Sequence, residues 1–256
     1  MITPLISIKA PIYDIFFSFQ GEALYTGLPQ IFIRFAGCNL KCNYCDTLYS
    51  TIISKKAKYL TCNKIVNKVI STYIKNKENF TEILTNTFTK NQASKKPSIS
   101  ITGGEPLLHA DYLEVLLPKL KEKGFSIYLE TNGTMFNNLT KIIKFCDIIS
   151  IDFKFKSECK NNFWKEHKKF LKIALSNSKS ETFIKNVITK NTNISEIKKS
   201  AKLIKGISDK IPLILQPSIN KNSPAIQNLY KFYSIAKKII PNVHIMIQMH
   251  KIYKVK

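Results

Sequence analysis

Short runs of β-branched and aromatic residues alternate along the chain with longer stretches whose apolar positions recur every three or four residues. The short runs predict strands at 12–19, 31–35, 98–102, 126–130, 148–152, 183–188, 212–216 and 244–248. The periodic stretches predict helices near 63–73, 112–123, 139–145, 162–175, 195–204 and 226–239. Thr61 and Ser195 stand where helix caps are expected, and Pro118 predicts a kink or a short helix. Repeated strand–helix alternation implies parallel pairing through right-handed crossovers. Distinctive residues fall just beyond strand ends: Cys38 after the second run, Gly103 after the third, Thr131-Asn132-Gly133 after the fourth. Loops gathered at the C-terminal ends of parallel strands are a barrel arrangement. The units are too few for eight, so the expected fold is α/β, a partial (β/α)6 TIM-type barrel. The stretch 78–97 is polar, weakly periodic and rich in Asn, Thr and Lys. It is expected as a surface insertion or mobile loop within a single domain spanning 1–256.

Composition narrows the classes. The formal charge is +23, yet Arg34 is the only arginine among 40 basic residues, and the lysines are spread through most helical segments. Phosphate and base-edge recognition lean on arginine forks, so the charge reads as a solvated surface and no direct nucleic-acid partner is expected. At low salt it would still draw anionic ligands towards the protein. No apolar run approaches the roughly 18 residues of a membrane span, and no secretory signal is evident. Six cysteines in such a chain fit a reducing cytoplasm.

Three of them, Cys38, Cys42 and Cys45, stand at C-x3-C-x2-C spacing directly after the second apolar run. Thiolates suit iron–sulfur clusters and zinc. Three thiolates on a four-iron cluster leave one iron open to a small molecule. A structural zinc site would instead close with four ligands, often as two C-x2-C pairs. Cys62 lies at a tolerable distance, but nothing beside it completes a second pair. Cys62, Cys146 and Cys159 are isolated in sequence and read as inert, partly buried thiols. Further on, Gly103-Gly104-Glu105-Pro106 follows a strand. It reads as a tight turn or as a place where backbone approaches a ligand closely, with Glu105 able to accept from an ammonium group. Thr47 reads as a turn residue or a hard oxygen donor, Glu130 as a strand-end carboxylate or an acid/base, and His250 as a surface histidine or a pocket wall.

The triplet, Asp46-Thr47 and the Gly-Gly-Glu-Pro segment together resemble the radical S-adenosylmethionine superfamily. Phe16-Phe17-Ser18-Phe19-Gln20-Gly21-Glu22, Gly27-Leu28-Pro29, Arg34 four residues before Cys38, and Gln248-Met249-His250-Lys251 narrow the likeness. Over residues 12 to 254 the chain is similar to the 7-carboxy-7-deazaguanine synthase family. That resemblance implies a 4Fe-4S cluster on Cys38, Cys42 and Cys45. It implies S-adenosylmethionine against Tyr44, Cys45, Asp46, Gly104, Glu105, Ser150, Asp152 and Lys154, and Mg2+ on Thr47. It implies a pterin substrate, 6-carboxy-5,6,7,8-tetrahydropterin, against Phe19, Gln20, Gly21, Glu22, Arg34, Thr102 and His250, with Glu130 as the acid/base. A flavodoxin- or ferredoxin-type electron donor and a homodimer are implied as well. The chain departs from the family at Ala23, where a glycine is common, and follows an Asp-x-Lys pattern at Asp152-Phe153-Lys154. Two rivals share part of the signal: an enzyme that places a radical on a protein glycine, and a zinc module that binds nucleic acid.

Overall fold

The computed structural model describes residues 8–87, 96–219 and 223–253. Its strands are β1 (Lys9–Phe19), β2 (Pro29–Phe35), β3 (Lys58–Thr61), β4 (Ser98–Gly103), β5 (Ile127–Thr131), β6 (Ile148–Asp152), β7 (Glu181–Ile188), β8 (Leu213–Pro217) and β9 (Val243–Ile245). Among the described residues they form one sheet in the order β3-β1-β2-β4-β5-β6-β7-β8-β9. β1 is antiparallel to β2 and to β3, while every pairing from β2 to β9 is parallel. The helices are α1 (Cys62–Thr87), α2 (Ala110–Glu122), α3 (Phe136–Ile142), α4 (Lys156–Cys159), α5 (Trp164–Ala174), α6 (Ile194–Lys205), α7 (Ile226–Lys237) and α8 (Met249–Tyr253). β2 and β4 to β8 make the partial (β/α)6 barrel, flanked by an antiparallel edge on one side and β9 on the other.

Alternation along each strand separates two chemistries. Ile31, Ile33 and Phe35, Ile99 and Ile101, Ile127 and Leu129, Ile149 and Ile151, Ile184 and Ile188, and Leu213 and Leu215 all belong to the main core, which the helices cover. The intervening residues face the other way. Tyr128, Ile148, Phe183 and Ile214 form a second, smaller apolar cluster with Ala23. Arg34, Thr102, Glu130, Ser150, Asp152 and Lys185 share that inner phase and line a cavity. The inner face therefore has an apolar floor and a polar upper layer, and the site is built on rigid strands.

Several elements differ from expectation. Thr61 caps α1, its Oγ1 accepting from the Lys64 N–H at 3.4 Å, but Ser195 lies inside α6. The cap there is Asn193, which forms a reciprocal capping box with Glu196. Pro118 does not end α2, because Leu113, Leu116, Leu117 and Leu120 are fully buried along it and outweigh one lost backbone bond. The segment 78–97 is helical as far as Thr87, since extending a nucleated helix costs little; residues 88–95 lie outside the described residues. The strand expected at 244–248 stops at Ile245, after which the chain turns into α8.

Candidate active site

A cavity of about 350 Å³ lies on the inner face of the sheet. Every residue expected from the sequence to serve the site lines it except Glu105: Phe19, Gln20, Gly21, Glu22, Arg34, Cys38, Cys42, Tyr44, Cys45, Asp46, Thr47, Thr102, Gly104, Glu130, Ser150, Asp152, Lys154 and His250.

Cys38, Cys42 and Cys45 sit on the loop after β2 and carry free thiols. The loop is pinned to the chain that follows it: Gly37 N–H donates to Ser50 O at 2.8 Å and Cys38 N–H to Thr51 O at 2.9 Å. The glycine pair after β4 serves this packing. A Cβ on Gly103, whose φ is +140°, would meet Phe35 O at 2.2 Å, and one on Gly104 would meet Gly37 O at 2.1 Å. Backbone thus lies on backbone there, and the close approach is to the cysteine loop. Glu105, expected to accept from a ligand ammonium, is fully buried instead. Its Oε1 accepts from Leu107 N–H at 3.0 Å and Thr131 Oγ1 at 2.9 Å, and its Oε2 from Asn132 N–H at 2.8 Å. Burial pushes its carboxyl up to about 7 against the pull of those donors.

Cys62 is buried at the start of α1 beside Tyr112, and Cys146 beside the Ile142 carbonyl. Neither lines the cavity, so no closed zinc set forms around Cys62 among the described residues. Cys159 was expected to be an isolated thiol, yet its Sγ lies 2.7 Å from Cys42 Sγ. The three loop thiols face one cavity and Cys159 does not line it, which suits a four-iron cluster having one open iron.

Charged groups line the same cavity in pairs. Lys154 Nζ donates to Asp152 Oδ2 at 2.8 Å and to Tyr44 Oη at 2.9 Å. Burial would push Lys154 down, but Asp152 and Tyr44 hold it well above the usual lysine range. Asp152 Oδ1 is buried without a hydrogen-bond partner, a costly state that a ligand donor would relieve. Lys185 pairs with Glu22 and lies 3.6 Å from Asp152 Oδ2. Burial pushes Glu22 up, Lys185 pulls it further down, and the net value is about 2.

The chain after β9 clasps the loop after β1. Gln248 Nε2 donates to Glu22 Oε1 at 2.9 Å, its Oε1 accepts from Ile219 N–H at 3.1 Å, and Met249 N–H donates to Gly21 O at 2.9 Å. His250 lies 3.4 Å and Lys251 3.1 Å from Asp46 Oδ2. Burial lowers the His250 pKa, but Asp46 and Glu22 raise it on balance. Glu22, Asp46 and His250 present potential ligand atoms within 4.8 Å of one another, although each carboxylate already faces a lysine.

Arg34 is different. Its guanidinium lies 5.6 Å from the centre of the Phe16 ring, makes no ion pair among the described residues, and keeps Nε buried without a partner. Glu130 is held by neutral donors: Gln20 Nε2 at 2.8 Å and Thr102 Oγ1 at 2.7 Å. Thr47 precedes a short 3-10 turn but its hydroxyl caps nothing; it lies 3.9 Å from Cys45 Sγ. Lys185, Val187, Ser218, Asn132 and Gln248 also line the cavity. Of these, Lys185 was legible from the alternation along β7, where it shares a face with Phe183 and Val187.

Comparison with known proteins bears on the family and the fold. Residues 32–204 match the family model of the radical SAM superfamily. A 7-carboxy-7-deazaguanine synthase of Geobacter sulfurreducens is 36% identical, covering 92% of this chain and 96% of that protein. One of Methanocaldococcus jannaschii is 34% identical, covering 94% and 98%. The crystal structure of QueE from Escherichia coli superposes with a TM-score of 0.59 at 20% identity, covering 98% of this chain and all of that one, which speaks for the fold. Archaeal TYW1 shares it more distantly, with a TM-score of 0.52 at 16% identity over 82% of this chain and 72% of that one. The chain therefore belongs to the 7-carboxy-7-deazaguanine synthase family within the radical SAM superfamily.

Proposed function

We propose that the protein contracts the ring of 6-carboxy-5,6,7,8-tetrahydropterin to 7-carboxy-7-deazaguanine with loss of ammonia, in the cytoplasm, as a step towards queuosine or another deazapurine. The observation that carries this reading is Arg34: a cavity arginine without a carboxylate partner among the described residues, in the same cavity as three free thiols. Its planar fork suits a substrate carboxylate, which lysine cannot match. Gln20 and Glu22 offer acceptors to the guanidine-like edge of the pterin, with Phe19, Gly21, Thr102 and His250 as the surrounding wall.

Cys38, Cys42 and Cys45 would hold the cluster. Tyr44, Asp46, Gly104, Ser150, Asp152 and Lys154 would border S-adenosylmethionine, with Glu105 acting from behind as the brace of the glycine turn. When bound, the cluster and cofactor would supply one-electron reduction and hydrogen abstraction chemistry at C6 of the substrate. The protein's own part is to orient C6, exclude water and move a proton. Glu130 would move the proton, since neutral donors alone fix its position. Thr47 would complete Mg2+ coordination, because its hydroxyl is not committed to capping. A flavodoxin- or ferredoxin-type protein would deliver the electron, and two copies would form a homodimer.

The test is anaerobic incubation of the reconstituted protein with the pterin, S-adenosylmethionine and a chemical reductant, with and without added Mg2+. A product of the mass of 7-carboxy-7-deazaguanine is expected, in larger amount with Mg2+. Cleavage of the cofactor without that product would retain the superfamily and reject the substrate.

A further inference from the structure

Lys185 stands on β7 in the same inward phase as Phe183 and Val187, and it lines the cavity. Its neighbour in register on β6 is Asp152. The Lys185 ammonium pairs with Glu22 Oε2 and lies 3.6 Å from Asp152 Oδ2. Asp152 has a closer cation of its own, since Lys154 Nζ donates to the same oxygen at 2.8 Å. Glu22 has no second lysine among the described residues. Its Oε1 accepts from the neutral amide of Gln248 at 2.9 Å, and His250 Nδ1 lies 4.0 Å away. The Lys185 and Glu22 side chains are 12% and 18% exposed, so salt and water screen their attraction little. Glu22 belongs to the loop after β1, whereas Lys185 is on a strand with partners on both sides. The lysine is thus the rigid member of the pair and fixes where the loop carboxylate stands.

We propose that Lys185 is a positioning residue for the substrate: it holds the Glu22 carboxylate in the place and orientation that accept from the amine edge of the pterin. The proposal rests on the ring-contraction reading, which puts that edge at Glu22. Each carboxylate oxygen has two acceptor positions. Lys185 on Oε2 and Gln248 on Oε1 therefore leave one on each oxygen for a pair of ligand N–H donors. Holding those positions ready before the ligand arrives lowers the ordering cost of binding. Without Lys185 the carboxylate keeps only a neutral amide and a more distant imidazole, and it turns towards water, where its charge is better solvated.

The experiment is a double-mutant cycle on the reconstituted protein, with the parent, Glu22→Gln, Lys185→Met and the variant carrying both changes. Calorimetry measures the binding of 6-carboxypterin, an oxidised analogue of the proposed substrate, and separately that of S-adenosylmethionine. Lys185→Met should weaken the pterin by about tenfold or more. S-adenosylmethionine should bind as in the parent, because Asp152 keeps Lys154. The double variant should bind the pterin no more weakly than Glu22→Gln alone, since Lys185 acts only through Glu22. A lysine with a purely structural role would instead weaken both ligands alike, or give losses that multiply in the double variant, and either result overturns the proposal. Should Lys185→Met fail to fold, the double variant, which loses one charge of each sign, still decides. Pterin binding equal to that of Glu22→Gln supports the role, and weaker binding removes it. A parent that binds no pterin rejects the substrate reading and this role with it, whereas a parent that binds it and shows additive losses rejects the role of Lys185 alone.

Discussion

Arg34 and Glu105 show how differently two charged residues of one site can be satisfied. Arg34 has an unmet demand, with Nε buried and unpartnered. Arg34→Lys keeps the charge and loses the fork, at a cost of roughly 1.5–3 kcal/mol for a charge-assisted contact. Substrate kcat/KM should fall by about one to two powers of ten, while S-adenosylmethionine binding, measured by calorimetry, stays as in the parent. Equal weakening of both ligands would make Arg34 structural. Glu105 is the reverse, with both oxygens taken by protein donors. Its folded pKa is raised from 4.5 to about 7. Between those values the folded state binds more protons than the unfolded state, so this group's contribution is full below pH 4.5 and is lost as pH rises towards 7. A shift of that size corresponds to about 3 kcal/mol. Glu105→Gln cannot titrate, so in urea unfolding it should be more destabilising at pH 5 than at pH 8. A pH-independent difference between the two proteins would mean that Glu105 ionises normally.

At the scale of elements, the strands were the most legible part of the chain, and their phase carried more than their positions. Isoleucine at alternate places on β4 marks the covered face, and Ile149 and Ile151 do so on β6 although Ile148 faces inward, so Thr102 and Ser150 face the cavity. What local pattern could not show is where tertiary contacts override it. Ile245-Met246-Ile247-Gln248 reads as a continuing strand, yet Gln248 turns inward because Glu22, more than 200 residues earlier, accepts from its amide. β3 is four residues with an exposed or half-buried pattern, too short and too polar to announce itself. Cys159 looked inert because sequence separation hid its 117-residue contact with Cys42. The clasp between α8 and the loop after β1 also explains Gly21. A Cβ there would meet His250 Cβ at 2.6 Å and Cγ at 2.9 Å, atoms near the backbone that cannot swing aside. Gly21→Ala should therefore displace α8 and lower the melting temperature, overpacking costing typically 1–3 kcal/mol. Turnover should fall more than S-adenosylmethionine binding. An unchanged melting temperature and rate would show that the clasp is loose.

For the whole molecule the dominant physical fact is the imbalance of 40 basic against 17 acidic residues. Three acids of the cavity are already neutralised locally: Glu22 by Lys185, Asp46 by Lys251, Asp152 by Lys154. Most of the remaining lysines have no such partner among the described residues, and they repel one another across the surface. Folding brings them closer together than in the unfolded chain, so self-repulsion is a cost of the compact state. Salt should relieve it. The Debye length falls from about 30 Å at 0.01 M to about 10 Å at 0.1 M, comparable with lysine spacing on a surface, whereas the inner pairs, only 12–18% exposed, are screened far less. A relief of about 1 kcal/mol would raise the melting temperature by roughly 2–4 °C in a chain of this size. Calorimetry in sodium chloride from 0.01 to about 0.15 M should show that rise, with most of it complete by the upper concentration. The same titration in sulfate, a divalent anion, should reach the plateau sooner. A melting temperature that falls with salt would mean that surface ion pairs outweigh repulsion, and that the excess of lysine is electrostatically compensated in a way its sequence does not suggest.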